Sequence, residues 1–261
     1  MKLWRRALSI FALGMWAFLS PVAAEETLQL TIAPESVAID AFYHGSRILV
    51  TGKLPADCEA IVRIMGQRSN LHLKKKGRVG GILWMNLDTI TIENVPSVFM
   101  IYTAKDLTEL LGPHPESSGV RKLGLASLQE HTRIVPISAD HDALFKEFIK
   151  LKDKEGFYRT SQGLLHYGSA GDTQKSFEVS IPLPARFPPA TYQVEVYAVR
   201  QGEVVAQAAQ PLEVTMVGFP ALLSSFAFRR GALFGLFAVV VAVVAGLIIG
   251  VVFSGSKGGS H

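Results

Sequence analysis

An uninterrupted apolar run from Gly231 to Phe253, GALFGLFAVVVAVVAGLIIGVVF, contains no charged or strongly polar side chain. At ~1.5 Å rise per residue a helix of this length crosses a hydrocarbon core of roughly 30 Å with some length left for tilt. The segment that follows, SGSKGGSH, is short and rich in Gly and Ser and is not expected to fold. Chemistry and recognition are therefore expected in the residues before the helix, tethered to one membrane face.

The other end of the sequence bears on which face. Residues 1–24 carry Lys2, Arg5 and Arg6, then an apolar stretch from Ala7 to about Leu19, then Pro21-Val-Ala-Ala24 with small residues where a signal peptidase reads. A first transmembrane helix is the alternative, but the apolar stretch is short for one. The pattern predicts a cleaved signal peptide, with the mature chain starting at Glu25 outside the cytoplasm. No Cys lies near this site, which excludes a lipid-anchored mature N-terminus.

Charge supports the division. The chain is formally +4, but of its 26 Lys/Arg three lie in the signal and three (Arg229, Arg230, Lys257) flank the apolar run, where no Asp or Glu occurs. The part from Glu25 to Phe228 holds the remaining 20 against 22 Asp/Glu. The basic balance thus belongs to the sorting segments, and nucleic acid is not an expected partner. Arg229 and Arg230 outside, with only Lys257 inside, oppose the positive-inside tendency, but an exported domain fixes topology despite such a local bias. Residues 218–230, with the apolar Phe219-PALLSSFAF-Phe228, are expected to lie in the membrane interface.

Between the two hydrophobic ends the pattern is mainly β. Thr27–Ile32, Ser46–Leu54, Ala60–Met65, Ile82–Asn86 and Thr89–Ile92 read as short strands, separated by turns such as Gly66-Gln67 and Gly80-Gly81. This predicts an immunoglobulin-like sandwich lobe over 25–103, without the Cys pair of antibody domains. A helical insertion over 104–155 is expected, with helices at Lys105–Leu111, Val120–Gln129 and Asp140–Glu155; the last has an apolar stripe of Leu144, Phe145, Phe148, Ile149 and Leu151. Strands resume over 156–217 at Ser176–Ile181, Thr191–Val199 and Glu203–Val217, with Tyr192 placed as a tyrosine-corner residue. Two β lobes are the preferred arrangement, and completion of the first sandwich by 156–217 is the alternative. Residues 231–253 are the transmembrane helix and 254–261 a short tail.

Several segments resemble a family. Gly81-Ile82-Leu83-Trp84-Met85-Asn86, Val95-Pro96-Ser97-Val98-Phe99, Phe148-Ile149-Lys150-Leu151-Lys152 with Gly156-Phe157-Tyr158, Ile181-Pro182-Leu183-Pro184 and Ala190-Thr191-Tyr192-Gln193-Val194-Glu195-Val196, together with the terminal helix, are similar to a transmembrane protein family of alphaproteobacteria. The resemblance covers nearly all of the mature chain, and its motifs are structural rather than catalytic. It carries over no activity and no functional residues. It implies a periplasmic domain on the bacterial inner membrane and, more weakly, genomic company with sulfite-exporter-like permeases. Ala190 stands where a glycine is expected before the Tyr strand, so that turn is expected to differ here.

Candidate sites are few. Asp140-His141-Asp142, with His131 nearby in sequence, is the best titratable cluster. A metal would need three or four ligands converging at ~2.0–2.2 Å, whereas adjacent residues at a helix start diverge and acids there suit the helix dipole. His166-Tyr167 reads as a lone loop pair, and Cys58, in the loop LPADCE, as an incidental thiol. No P-loop, G-x-S-x-G, dinucleotide glycine fingerprint or zinc-type Cys/His spacing occurs. Lys74, Lys75, Lys76 and Arg78 in Leu71-HLKKKGR-Arg78 suit an edge strand blunted by Lys, or contact with anionic lipid headgroups or a glycan. In the apolar run Ala238, Ala242, Gly246 and Gly250 recur every four residues, a spacing that lets another helix approach closely.

The function expected is thus a non-enzymatic accessory or adaptor subunit of a membrane complex, transport included. It would lie in the inner membrane with its bulk periplasmic and its C-terminus cytoplasmic, and would contact a partner transmembrane helix of a permease or of a second copy. No cofactor and no catalytic or metal residue is expected. The alternative is a tethered periplasmic solute-binding or hydrolytic domain.

Overall fold

The computed structural model describes residues 28–113, 118–136, 141–171 and 173–254. The signal-peptide expectation, the tail from 255 and Asp140 lie outside the described residues. The described residues begin with seven strands: β1 (Gln29–Ala33), β2 (Ser36–Ile39), β3 (Ser46–Pro55), β4 (Glu59–Met65), β5 (Arg68–Val79), β6 (Leu83–Pro96) and β7 (Phe99–Thr103). Two 3-10 turns (Glu109–Leu111 and Gly119–Leu123) lead to α1 (Ala126–His131), β8 (Arg133–Val135) and α2 (His141–Lys154). Then come β9 (Tyr158–Gln162), β10 (Leu165–Ala170), β11 (Gln174–Leu183), β12 (Ala190–Arg200) and β13 (Glu203–Met216), and finally α3 (Gly218–Arg229) and α4 (Gly231–Ser254).

The strands form three sheets. The first has the order β1-β3-β11-β10, the second β2-β13-β12-β4-β7-β9, and the third β5-β6-β8. Only the two outermost pairs of the second sheet, β2 with β13 and β7 with β9, are parallel. The expected mainly β sandwich with one terminal apolar helix is what the chain forms. Two separate lobes are not: β3 pairs with β11 over ten residues and β4 with β12 over seven, so strands from both stretches share both sheets. A hairpin such as β12–β13 is only marginally stable alone, and here it completes the sandwich begun by residues 28–103.

Alternation builds the core between the first two sheets. Ile48, Val50 and Leu54 of β3 and Phe177, Val179 and Ile181 of β11 face Val62, Ile64, Tyr102, Val194, Val196 and Leu212 across it. Tyr192 starts β12 and is fully buried, and its hydroxyl donates to the Pro188 carbonyl at 2.6 Å, the contact expected of a tyrosine corner. Cys58 sits buried at the turn from β3 to β4 as part of this core.

The second sheet is covered on its other face too. Phe145 and Phe148 of α2, Leu128 of α1, and Ile92, Val95 and Ile134 of the third sheet pack on Ile61, Phe99, Ile101, Tyr158 and Val199. Strands buried on both faces lose the two-residue alternation, which is why all five residues of β7 are buried. The segment 104–155 is therefore only partly helical. Lys105–Leu111 yields a single 3-10 turn, since Asp106 caps Thr108 through its carboxylate and Gly112 (φ 74°) ends the turn. β8 joins β6 as a third strand.

Candidate membrane-contact surfaces

Helix α4 is the one helix among the described residues long and apolar enough to cross a membrane, over Gly231–Phe253. None of that span is buried against the rest of the chain. Ala238, Ala242, Gly246 and Gly250 lie on it and are exposed; a Cβ placed on Gly246 or Gly250 meets nothing within 4 Å. Four-residue steps drift by ~40° around an α-helix, so the four positions share one broad face.

Helix α3 takes the place predicted for an interfacial segment. It buries no residue, and Phe219, Leu222 and Phe228 are largely exposed. The chain breaks at Arg230 (φ −136°, ψ 52°), where α3 ends and α4 begins. Phe226 bridges the break, its ring 6.0 Å from Phe234 and 6.4 Å from Phe237 in edge-on geometry. Arg229 and Arg230 therefore stand at the junction of the exposed helix α3 and the apolar helix α4.

The end of the second sheet nearest this junction can be traced from register. Val217 donates its N–H to Ile39 at 2.9 Å, so the loop after β2 lies beside the exit to α3, and Phe42 in that loop is 80% exposed. Val214 of β13 is opposite Ala190, Gln193 is opposite Met65, and Met65 is opposite Phe99. The start of β7 and the end of β4 thus share this end.

From the same end a long ribbon departs. Gly66 donates to Val98 and Ser97 to Gln67, each at 2.9 Å, so the β4–β7 ladder runs on into β5–β6. Leu73 and Ile90 pack near Leu144, Phe148 and Leu151 of α2, and beyond them the ribbon's two strands pair with each other and with no other described strand. Gly80 (φ 62°) and Gly81 (φ 77°) turn it, a conformation that two successive L-residues with side chains would resist. Lys74, Lys76 and Arg78 are exposed on β5, an edge strand of its sheet; the side chain of Lys75 lies outside the described residues. Arg78 stacks its guanidinium over Trp84, directly opposite in the ladder, at 5.1 Å. The apolar residues of the tip were expected in a strand; nothing in their pattern showed that they would stay uncovered.

The titratable candidates do not assemble. His141 lies 3.6 Å from Asp142, whose carboxylate also accepts from Gln129 at 2.8 Å, and the His131 ring instead meets the Ser127 carbonyl. Among the described residues no three His, Cys, Asp or Glu side chains gather as a metal ion requires. His166 and Tyr167 are not a loop pair but part of β10. Both border an open groove of about 480 Å³ on the first sheet, and the Tyr167 hydroxyl reaches further partners.

Those partners form a polar cluster that sequence reading missed. The Tyr167 hydroxyl donates to Glu59 Oε2 at 2.6 Å and accepts from the Ala60 N–H at 2.8 Å, and Lys105 Nζ reaches Glu59 Oε1 at 2.9 Å. Lys175 stands 4.2 Å from the Tyr167 ring centre. Burial pushes the Glu59 carboxyl up, but the Tyr167 hydroxyl and the Lys105 ammonium outweigh it and hold the carboxyl below its ordinary value. Burial, with the Glu59 carboxylate, pushes the Tyr167 hydroxyl up. The cluster ties β4 of the second sheet to β10 and β11 of the first. Its groups saturate one another, which suits a structural tie.

The model of the family described as "Putative transmembrane protein (Alph_Pro_TM)" matches residues 27–255. No curated protein matches the chain.

Proposed function

The chain belongs to the transmembrane protein family whose model matches it over residues 27–255, and from that membership we propose that it is a non-enzymatic accessory or adaptor subunit of a membrane complex. Membership and the one spanning-type helix among the described residues fit a single-pass membrane protein. In this reading the sandwich is periplasmic, α4 crosses the inner membrane, and the C-terminus is cytoplasmic. The face of Ala238, Ala242, Gly246 and Gly250 packs against a helix of a permease or of a second copy.

The observation that carries the proposal is the open space over Gly246 and Gly250 on a helix whose apolar span is not buried by the described residues. Close approach of a second helix there gains dispersion contacts that lipid chains, excluded from so narrow a seam, do not provide. The test is affinity purification of the full chain from its native membrane, with partners identified and the Gly246→Ile and Gly250→Ile variants run in parallel. The expected result is a partner retained by the wild type and lost from both variants, while the melting of the sandwich is unchanged. Retention of the same partner by both variants overturns the helix-packing role. If function survives replacement of α4 by an unrelated anchor but fails on His141 or His166 substitution, the tethered solute-binding or hydrolytic domain takes its place.

A further inference from the structure

The ribbon β5–β6 ends in apolar side chains that no described residue covers. Ile82 is 90% exposed, Trp84 62%, Leu83 61%, Val79 48% and Met85 47%. A soluble domain rarely leaves so many large apolar residues together at a projecting tip unless something covers them. The residues behind the tip are basic: Lys74, Lys76 and Arg78 follow at two-residue spacing on one strand, and no Asp or Glu occurs between Lys74 and Leu87.

The geometry points to the tip of this ribbon as a membrane-insertion loop, which dips Val79, Ile82, Leu83, Trp84 and Met85 into the interface of an anionic bilayer while Lys74, Lys76 and Arg78 hold the headgroups. The order of chemistry along the ribbon, apolar at the turn and cationic behind it, is the order of a bilayer surface read from acyl chains outward. Trp84 stacked under Arg78 is an interfacial pair, an amphipathic ring with a cation that can snorkel to phosphate. Cations near an anionic leaflet add attraction that falls with salt. The occupant is a lipid surface rather than a protein groove because α4 already confines this chain to one. The tether makes the tip's insertion intramolecular, so even a weak interfacial affinity is expressed. The ribbon is rooted at the end of the second sheet from which the chain leaves for α3 and α4, and the part of β5 beyond Leu73, at ~3.3 Å per residue, extends ~20 Å past its packing on α2. The inference requires that α4 spans the bilayer. It does not depend on which helix, if any, α4 contacts.

The test uses the full chain carrying Trp4→Phe and Trp16→Phe, so that Trp84 is its only tryptophan. The protein is placed in nanodiscs of phosphatidylcholine alone, or rich in phosphatidylglycerol, with brominated acyl chains as the quencher within the bilayer and iodide as the quencher in water. The expected result is bromine quenching of Trp84 in the anionic discs and loss of most of it in phosphatidylcholine discs or at high salt. Ile82→Asp and the triple change Lys74→Glu, Lys76→Glu, Arg78→Glu should each remove it, with the melting of the sandwich unchanged. Quenching by iodide and not by bromine in both kinds of disc overturns the proposal. Shielding of Trp84 from iodide in native membranes without bromine quenching in nanodiscs also overturns it, in favour of a protein partner.

Discussion

Glu59 opens β4 at the rim where the two sheets of the sandwich meet, and what it touches decides how the molecule responds to acid. Its carboxylate takes the Tyr167 hydroxyl on one oxygen and the Lys105 ammonium on the other. Both contacts favour the charged form, so the carboxyl stays ionised below its ordinary value of 4.5 despite the cost of burial. A carboxyl depressed in the folded state contributes stability that is fully present above its unfolded value and is lost as the pH falls through the folded one. Glu59→Gln is therefore expected to lower the melting temperature at neutral pH. The loss should be about 1 kcal/mol, the value of a charge-assisted hydrogen bond discounted for solvent at this partly exposed rim. The gap between wild type and variant should narrow as the pH drops below 4.5 and close below the folded value. A gap that stays constant down to the acid limit would show that the carboxylate charge contributes nothing to the tie.

At the level of elements, β3 shows how one residue sets the closure of a sheet. Gly52 lies in the middle of β3, between β1 and β11, and a Cβ there would sit 2.0 Å from the Gln29 carbonyl and 2.6 Å from the Phe177 ring. Phe177, its partner in the ladder, fills the space the missing side chain leaves. Gly52→Ala is expected to cost about 2–3 kcal/mol through displacement of β1 and the Phe177 ring, seen as a drop in melting temperature. Gly124→Ala, where the nearest atom is 3.8 Å away and φ is −78°, should leave it nearly unchanged. An equal effect of the two would sink the packing argument. Such a glycine inside a strand is a legible sign of close approach, and β3, β11, β12 and β13 could be read from alternation with their ends nearly right. What could not be read has physical causes. β7 is buried on both faces and does not alternate. β6 reads as two strands broken near Asn86-Leu87-Asp88, but a bulge opposite Lys75 and Lys76 absorbs the extra residue and keeps it one. The pairing of β3 with β11 joins positions more than a hundred residues apart, which no local pattern encodes. On the site side, the stripe on α4 and the lysine run were visible as spacing. The Glu59–Tyr167–Lys105 cluster and the bare tip of the ribbon exist only after folding.

On the scale of the whole molecule, several independent features converge on one end of the sandwich: Phe42 beside the exit to α3, the exposed aromatic and aliphatic side chains of α3, the arginine pair at its end, and the root of the β5–β6 ribbon. An end of this composition is stable next to a bilayer and costly in open water. The charge of the flanks argues for the opposite orientation from the one proposed, because Arg229 and Arg230 precede α4 and only Lys257 follows it. The two influences can be separated. A fluorescent protein that matures only in the cytoplasm, fused after His261, is expected to fluoresce, and alkaline phosphatase fused after Val217 is expected to be active outside. Reversal of the flank, Arg229→Glu with Arg230→Glu, should leave both signals in place, since export of the preceding β domain commits the chain before α4 emerges. If instead the wild-type fusion at His261 stays dark and is digested by protease added outside, the positive-inside bias has won over the exported domain. The sandwich then faces the cytoplasm, and the partners to be sought lie on that side.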